Sequence, residues 1–115
     1  MAKAVFYDRD GIIIQMVYDP DHGTIDTVRR KEQIEFVPGI FELLQYTHKM
    51  GYLNIIISNQ PGIGLGKISK KNFDEITKTV IDKLKEQNAV IDDGYYCFHH
   101  PFAKIEEIYN LSFNK

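Results

Sequence analysis

The sequence predicts an α/β fold with a Rossmann-like parallel sheet and helices on both faces. Three apolar runs predict the strands: residues 4–7, 53–57 and 95–98. These runs lack strict alternation of apolar and polar residues, which is typical of strands that are covered on both sides. Two amphipathic stretches separate the runs, and this alternation implies right-handed βαβ crossovers and a parallel sheet.

The two predicted helices have boundary signals as well as helical spacing. Pro38 and Gly39 open the first helix, and Gly51 closes it. Ser69 is a candidate N-cap for the second helix. One face of this second helix carries an apolar stripe: Phe73, Ile76, Thr77, Val80, Ile81 and Leu84.

The overall composition indicates one soluble domain over residues 1–115. Apolar residues make up 43% of the chain, and the net charge of -2 gives no overall basic surface, so nucleic acid is not an expected partner. Cys97 is the only cysteine, which excludes a disulfide within the chain. No run resembles a signal peptide or the roughly 18 apolar residues of a membrane span. We therefore expect a cytoplasmic protein without membrane contact.

Two connections carry features beyond a simple turn. Residues 11–37 are much longer than the usual strand-to-helix connection of about 2 to 6 residues, and they predict a flap over the site. Residues 59–66 form a glycine-rich loop whose spacing matches neither common nucleotide-binding motif. This loop predicts a turn with its backbone near a phosphate. The nearby basic residues are interpreted first as solvated surface and second as contacts to another anionic group: Arg29, Arg30, Lys31, Lys67, Lys70 and Lys71.

Acidic and hydroxyl side chains follow the first two predicted strands. Asp8 and Ser58 each end a strand, and ligands bind outside the carboxyl ends of parallel strands, so both should face one crevice. Asp10 lies close enough to Asp8 for the two carboxylates to repel each other unless a cation intervenes. Mg²⁺ prefers such oxygen ligands, and Asp8 and Asp10 are its predicted ligands.

Four sequence blocks occur in a recognisable order between residue 4 and about residue 101. They are Asp8-Arg9-Asp10-Gly11, Phe36-Val37-Pro38-Gly39, the loop at 58–66, and Tyr95-Tyr96-Cys97-Phe98-His99-His100-Pro101. Together they resemble the haloacid dehalogenase (HAD) superfamily. Within this superfamily, the four blocks are most similar to the branch of the histidinol phosphatases and D-glycero-D-manno-heptose-1,7-bisphosphate phosphatases. The resemblance implies a HAD-type sheet and a phosphatase that acts on small phosphorylated metabolites.

The same resemblance implies a role for each matched residue. Asp8 would be the nucleophile that forms an aspartyl-phosphate, and Asp10 the general acid and base. Mg²⁺ would be held by Asp8 and the backbone carbonyl of Asp10. Ser58 and Asn59 would bind the phosphate, and Arg9 is grouped with them as a substrate-binding residue.

The resemblance ends in the last part of the sequence. This branch uses a later lysine and further metal-binding acids, which residues 102–115 do not contain in recognisable form. Lys104, Glu106 and Glu107 could replace them, although this pattern is more typical of a solvated helix face. We therefore expect an atypical tail, a sheet that is incomplete at the C-terminus, and an exposed edge on the first strand. Such an edge predicts a homodimer, segment exchange or a fragment of a longer protein.

Two alternatives to a sugar-phosphate or histidinol-phosphate phosphatase remain open from the sequence. A catalytically impaired HAD remnant would bind phosphate or metal, or act as an interaction subunit. A polynucleotide 3′-phosphatase has a similar glycine-rich loop, but the Asp8-Arg9-Asp10 and Cys97-to-Pro101 segments argue against it. Cys97 and His99 match half of a zinc loop, and without a second cysteine no tetrahedral zinc site is expected.

Overall fold

The protein, as a computed structural model, is described over residues 3–98 and, for the backbone, over residues 108–112. Four strands form the main sheet in the order β1-β4-β5-β6, and β2 pairs with β3 in a separate hairpin. Strands β1, β4 and β5 are parallel, whereas β6 runs antiparallel to β5. In chain order the elements are β1 (Lys3–Tyr7), β2 (Val17–Asp19), β3 (Thr24–Asp26), a 3-10 helix (Lys31–Gln33), α1 (Ile40–Lys49), β4 (Tyr52–Asn59), α2 (Pro61–Gly64), α3 (Lys70–Glu86), β5 (Asp93–Cys97) and β6 (Ile108–Ser112).

The predicted α/β class with its parallel strands and two main helices is confirmed. Ser69 caps α3 as expected, because its hydroxyl oxygen accepts a hydrogen bond from the Asn72 amide at 3.1 Å. The sequence did not predict β6, which lies within the segment interpreted as an atypical tail. The limits of the flap at 11–37 and of the single domain stay predictions.

Helices α1 and α3 both pack on one face of the sheet in the described part of the chain. The Thr47 hydroxyl of α1 lies 3.1 Å from the Tyr7 hydroxyl on β1, and the Phe73 ring of α3 meets Tyr96 on β5 edge-on at 5.2 Å. Both crossovers advance the same way across the sheet, and right-handed connections then place both helices on the same side. The structure therefore differs from the expectation of helices on both faces.

The opposite face of the sheet carries exposed apolar side chains on three neighbouring parallel strands. Phe6 on β1 is 59% exposed and Ile57 on β4 is 50% exposed. Leu53 and Tyr95 are exposed as well. Tyr95 on β5 lies beside Ile57 because the two residues pair in register. We call these four residues the outer sheet face. Parallel strands are normally buried on both sides, so the face is a surface that another polypeptide can cover.

A buried polar network fixes α1 against the sheet. Asn54 on β4 is fully buried, and its amide nitrogen donates to the backbone carbonyls of Leu44 and Val90 at 3.0 and 2.9 Å. Its amide oxygen accepts a hydrogen bond from the Thr47 hydroxyl at 2.6 Å. Satisfied buried polar groups favour one arrangement of neighbouring elements, so this network sets how α1 sits on β4.

The segment that follows β1 folds back onto the domain. It contains the β2–β3 hairpin and the 3-10 helix, and backbone hydrogen bonds from Gln15 to Glu35 and from Val37 to Ile13 close its base at 2.7 and 3.0 Å. Four of its apolar side chains join the core: Ile13, Ile14, Val28 and Ile34. Among the helices at 3–98, none is long and apolar enough to cross a membrane.

Candidate active site

Asp8 lies directly after β1 with its side chain exposed. Within residues 3–98, its carboxylate has no hydrogen bond or ion pair to another side chain. The exposed carboxylate is free to approach a ligand from solvent. Asp8 thus lies at the carboxyl end of a parallel strand, and the crevice shared with Ser58 stays a prediction.

A tight turn after Asp8 reverses the chain and sets the position of Asp10. The carbonyl of Arg9 accepts hydrogen bonds from the amides of Ile13 and Ile14, each at 3.0 Å, and the Gly11 amide donates to the Ile14 carbonyl at 2.7 Å. Gly11 has a φ of +89°, which glycine adopts at little cost because it lacks a Cβ. The glycine after the two aspartates is therefore a requirement of the turn.

The Asp10 carboxylate is held by three neighbouring side chains. The Thr27 hydroxyl donates to Oδ1 at 2.7 Å, and the Gln60 amide nitrogen donates to Oδ2 at 2.5 Å. Nε and Nη2 of Arg9 lie 3.3 and 3.4 Å from the two carboxylate oxygens. Only 12% of the Asp10 side chain is exposed. These contacts fix the direction of the carboxyl group, whereas Asp8 has no such restraint.

Arg9 lies beneath the site, with 1% of its surface exposed. Besides Asp10, its guanidinium contacts the Thr27 hydroxyl at 3.2 Å and lies 5.8 Å from the centre of the Phe73 ring. Nη1 is buried without a hydrogen-bond partner in the described structure. The positive charge of Arg9 therefore offsets the negative charge of Asp10, and its assignment as a substrate-binding residue stays a prediction.

The charges of Arg9 and Asp10 also act on a neighbouring phenol. Burial raises the pKa of Tyr96 to about 12; Arg9 opposes this rise and the Asp10 carboxylate adds to it. Tyr96 therefore stays neutral at physiological pH and serves as part of the packed wall between the sheet and α3.

Ser58 is connected to Asp10 through Gln60. Ser58 is 3% exposed near the end of β4, and its Oγ accepts a hydrogen bond from the Gln60 amide nitrogen at 2.7 Å. The Gln60 backbone amide donates to the Cys97 carbonyl at 2.6 Å, which ties this residue to the end of β5. The structure thus brings together side chains from β4 and from the turn after β1, as the parallel topology predicted.

The described structure covers only some of the other site residues predicted from the sequence. Asn59 is exposed at the last position of β4, next to Ser58. Among the described residues, no group of three or more His, Cys, Asp or Glu side chains could hold a metal ion. Several earlier candidates fall outside the described residues: His99, His100, Lys104, Glu106 and Glu107.

Sequence reasoning missed Thr27 and Gln60, both of which hold Asp10. Gln60 had a usable signal, because it follows Ser58 by two positions at the end of a strand. Thr27 had none, since it lies 17 residues from Asp10 within the flap. Its role emerges only when the flap folds back onto the turn.

Two oxygen donors fit the hard cation implied by the resemblance. The Asp8 carboxylate is unpaired in the described structure, and the turn's backbone hydrogen bonds go to the carbonyls of Arg9 and Ile14 rather than to that of Asp10. Mg²⁺ accepts such oxygen ligands and usually completes its octahedral shell with waters or phosphate. The carboxylate oxygens of Asp10 accept hydrogen bonds from Thr27 and Gln60. The backbone carbonyl of Asp10 is therefore the better metal ligand.

The fold and the site define a class: an α/β protein with a parallel sheet and an Asp-x-Asp turn after its first strand. The chain is 36% identical over 110 residues to the D-glycero-beta-D-manno-heptose-1,7-bisphosphate 7-phosphatase of Salmonella typhi, covering 93% of this chain and 54% of that protein. It is 41% identical over 100 residues to the enzyme of the same name from Helicobacter pylori strain J99, covering 86% and 53%. The resemblance found in the sequence is therefore confirmed, because the chain is similar to phosphatases of this name over about half of their length.

Solved structures show the same fold. One is a D,D-heptose 1.7-bisphosphate phosphatase from B. bronchiseptica complexed with magnesium and phosphate, with a TM-score of 0.73, 21% identity, and coverage of 90% of this chain and 54% of that one. Another is a HAD-like phosphatase from Mesorhizobium loti, with a TM-score of 0.75, 23% identity, and coverage of 90% and 46%. No protein-family model matches the chain. The chain spans about half the length of the curated relatives it matches.

Proposed function

We propose that this chain is a Mg²⁺-dependent phosphatase that acts on a small phosphorylated sugar. The observation that carries the proposal is the contrast between its two aspartates: Asp8 is exposed and unpaired in the described structure, whereas Asp10 is held by Thr27, Gln60 and Arg9. A nucleophile must reach the phosphorus atom, and a proton carrier must be oriented towards the leaving oxygen. The relatives' names support phosphate-ester chemistry and a sugar substrate.

Hydrolysis would then proceed in two displacements. In the first, a carboxylate oxygen of Asp8 attacks phosphorus in line, the bond to the ester oxygen breaks, and Asp10 donates a proton to the departing alcohol. In the second, Asp10 takes a proton from a water molecule that attacks the aspartyl-phosphate, which releases phosphate and restores Asp8. Mg²⁺ held by the Asp8 carboxylate and the Asp10 backbone carbonyl would supply positive charge that offsets the repulsion between the attacking carboxylate and the phosphate.

The other site residues would bind and orient the phosphate. Ser58 would donate its hydroxyl hydrogen to a phosphate oxygen, while the Gln60 amide nitrogen donates to the Ser58 Oγ and fixes its position. Asn59 is exposed beside it and would offer a second donor. Because Arg9 is buried against Asp10, its charge would serve to orient Asp10 rather than to neutralise the phosphate.

A hydrolysis assay tests the proposal directly. We expect phosphate release from heptose bisphosphate with Mg²⁺, and slower release from histidinol phosphate and from an aryl phosphate. Chelation of the metal with EDTA should reduce the rate to background, and added Mg²⁺ should restore it, because the attacking carboxylate would otherwise face an uncompensated phosphate. Absence of turnover with all three substrates in the presence of Mg²⁺ would contradict the proposal.

The outer sheet face favours a second candidate function, that of an interaction subunit. In the described part of the chain β1 lies at the edge of the sheet, next to exposed Phe6 and Ile57. We infer that a second copy of the chain packs on the outer sheet face, because apolar side chains are stabilised when they leave water and a two-fold axis brings the same patch of both copies together. A cytoplasmic location also stays a prediction.

Light scattering at micromolar concentration tests this association. We expect a dimer for the wild type and a monomer for Ile57→Asp, since the substitution places a charge in the centre of the apolar contact. The matched control is Tyr46→Asp, because Tyr46 is 60% exposed on α1, away from the sheet. A monodisperse wild-type monomer would show the inference to be wrong.

A further inference from the structure

Three side chains hydrogen-bond to the Asp10 carboxylate within residues 3–98, and one of them comes from the flap. Arg9 belongs to the turn after β1, and Gln60 follows directly after β4. The third, Thr27, lies 17 residues from Asp10 in the segment that folds back onto the domain. The orientation of Asp10 therefore depends on the central sheet and also on one side chain that the flap supplies.

The contacts of Thr27 direct its hydroxyl hydrogen to Asp10. Nη2 of Arg9 lies 3.2 Å from Thr27 Oγ1, and because a guanidinium can only donate, the oxygen accepts this hydrogen bond. The single hydrogen of the hydroxyl is then donated to Oδ1 of Asp10 at 2.7 Å. Thr27 thus connects Arg9 to Asp10 through two hydrogen bonds of defined direction.

Neighbouring residues hold the backbone at Thr27. The Thr27 amide donates to Oδ1 of Asp26 at 2.7 Å, and the side chain of Val28 is fully buried in the core. Threonine is also restricted in χ1 because its Cβ is branched. The position of the hydroxyl is therefore set by the flap itself.

Thr27 and Gln60 hold different oxygens of the same carboxyl group. The Gln60 amide nitrogen has two hydrogens, and it donates to Oδ2 of Asp10 at 2.5 Å and to Ser58 Oγ at 2.7 Å. The contacts from Arg9, at 3.3 and 3.4 Å, are longer than usual hydrogen bonds. Because the χ2 torsion of aspartate is only broadly restricted, the two short contacts decide how the Asp10 carboxyl group is turned.

Resting on the proposed function, we propose that Thr27 is a positioning residue for proton transfer by Asp10. A general acid must lie within about 2.6 to 3.2 Å of the oxygen that receives its proton. Loss of the Thr27 hydroxyl lets the carboxyl group of Asp10 turn away from the leaving oxygen. The flap therefore contributes to catalysis through Asp10, and Thr27 itself touches no reacting atom.

Two aryl phosphates with the same ring test this role. Phenyl phosphate has a more basic leaving oxygen than 4-nitrophenyl phosphate, so its hydrolysis depends more on a proton donor. Thr27→Val keeps the shape of the side chain and removes the hydroxyl. It should lower kcat/KM by about 10- to 100-fold for phenyl phosphate but by less than about threefold for 4-nitrophenyl phosphate. Heptose bisphosphate, whose leaving group is an alcohol, should show at least as large a fall as phenyl phosphate.

Three controls separate positioning from a merely structural role. Thr27→Ser restores a hydroxyl and should recover most of the lost rate with phenyl phosphate. Thr24→Val makes the same substitution at an exposed threonine of β3 and should leave both kcat/KM values unchanged. Hydrogen exchange at the amides of Gln15 and Val37, which close the base of the flap, should be as slow in Thr27→Val as in the wild type.

The outcomes distinguish this role from the proposed function. An equal fall with both aryl esters, an unchanged rate with heptose bisphosphate, or no recovery in Thr27→Ser would overturn the role of Thr27 and leave the proposed function standing. Faster exchange at Gln15 and Val37 in Thr27→Val would also overturn it, because the hydroxyl would then serve to fold the flap. If the wild type hydrolyses none of these esters with Mg²⁺, the proposed function fails and the role of Thr27 fails with it.

Discussion

Replacing Arg9 with methionine is expected to lower the free energy of unfolding by about 3 kcal/mol. Methionine fills much of the same space, but it leaves the largely buried Asp10 carboxylate without its cationic neighbour and removes the contact with Phe73. Removing one partner of a buried ion pair is costly because the remaining charge stays poorly solvated. Urea unfolding should show a lower midpoint with an unchanged m-value.

Two comparisons isolate the charge effect in this first prediction. Arg29→Met breaks a more exposed ion pair with Asp19 and should cost about 1 kcal/mol or less. The double variant Arg9→Met with Asp10→Asn should be more stable than the sum of the single losses predicts, because no unpaired carboxylate remains. Strict additivity of the two substitutions would show that the pair is not coupled.

Replacing Asp8 with asparagine is expected to reduce turnover by about 10⁴-fold or more, with little change in stability. The amide cannot attack phosphorus, and Asp8 is exposed without a hydrogen bond or ion pair in the described structure. Asp10→Asn should reduce turnover by about 10² to 10⁴-fold, because proton transfer to the leaving oxygen is lost. Steady-state kinetics and urea unfolding on both variants check the two effects.

The stability measurements make this second prediction specific. Asp10→Asn should also destabilise the fold, since Arg9 would then be buried without its carboxylate. Asp74→Asn serves as a control because Asp74 is exposed on α3, and it should leave both rate and stability unchanged. Turnover by Asp8→Asn at the wild-type rate would be incompatible with the role of Asp8 as nucleophile.

Much of the main fold could be predicted from local sequence patterns. The apolar runs identified β1, β4 and β5, and the boundary residues Gly39 and Ser69 marked the helices. Strand order could not be determined from these patterns, and strand order decides which face each crossover helix covers. The strand at Ile108–Ser112 was missed because the charged residues before it favoured a solvated helix.

The site could be predicted only as far as chain topology determines it. Asp8 and Ser58 were expected at one edge because each ends a parallel strand, and the structure places both there. The contacts of Asp10 with Thr27 and Gln60 span 17 and 50 residues, so no local pattern reveals them. Burial of Arg9 was equally hidden, since arginine is almost never fully buried unless it is paired.

Chemical trapping of the enzyme during turnover tests the central claim most directly. The chain is mixed with a radiolabelled sugar phosphate and Mg²⁺, quenched in acid, and digested for peptide mapping. The proposed chemistry predicts label on Asp8, in the peptide that follows β1, and no label in Asp8→Asn. Turnover with label on another residue, or with no label on the protein at all, would contradict nucleophilic attack by Asp8.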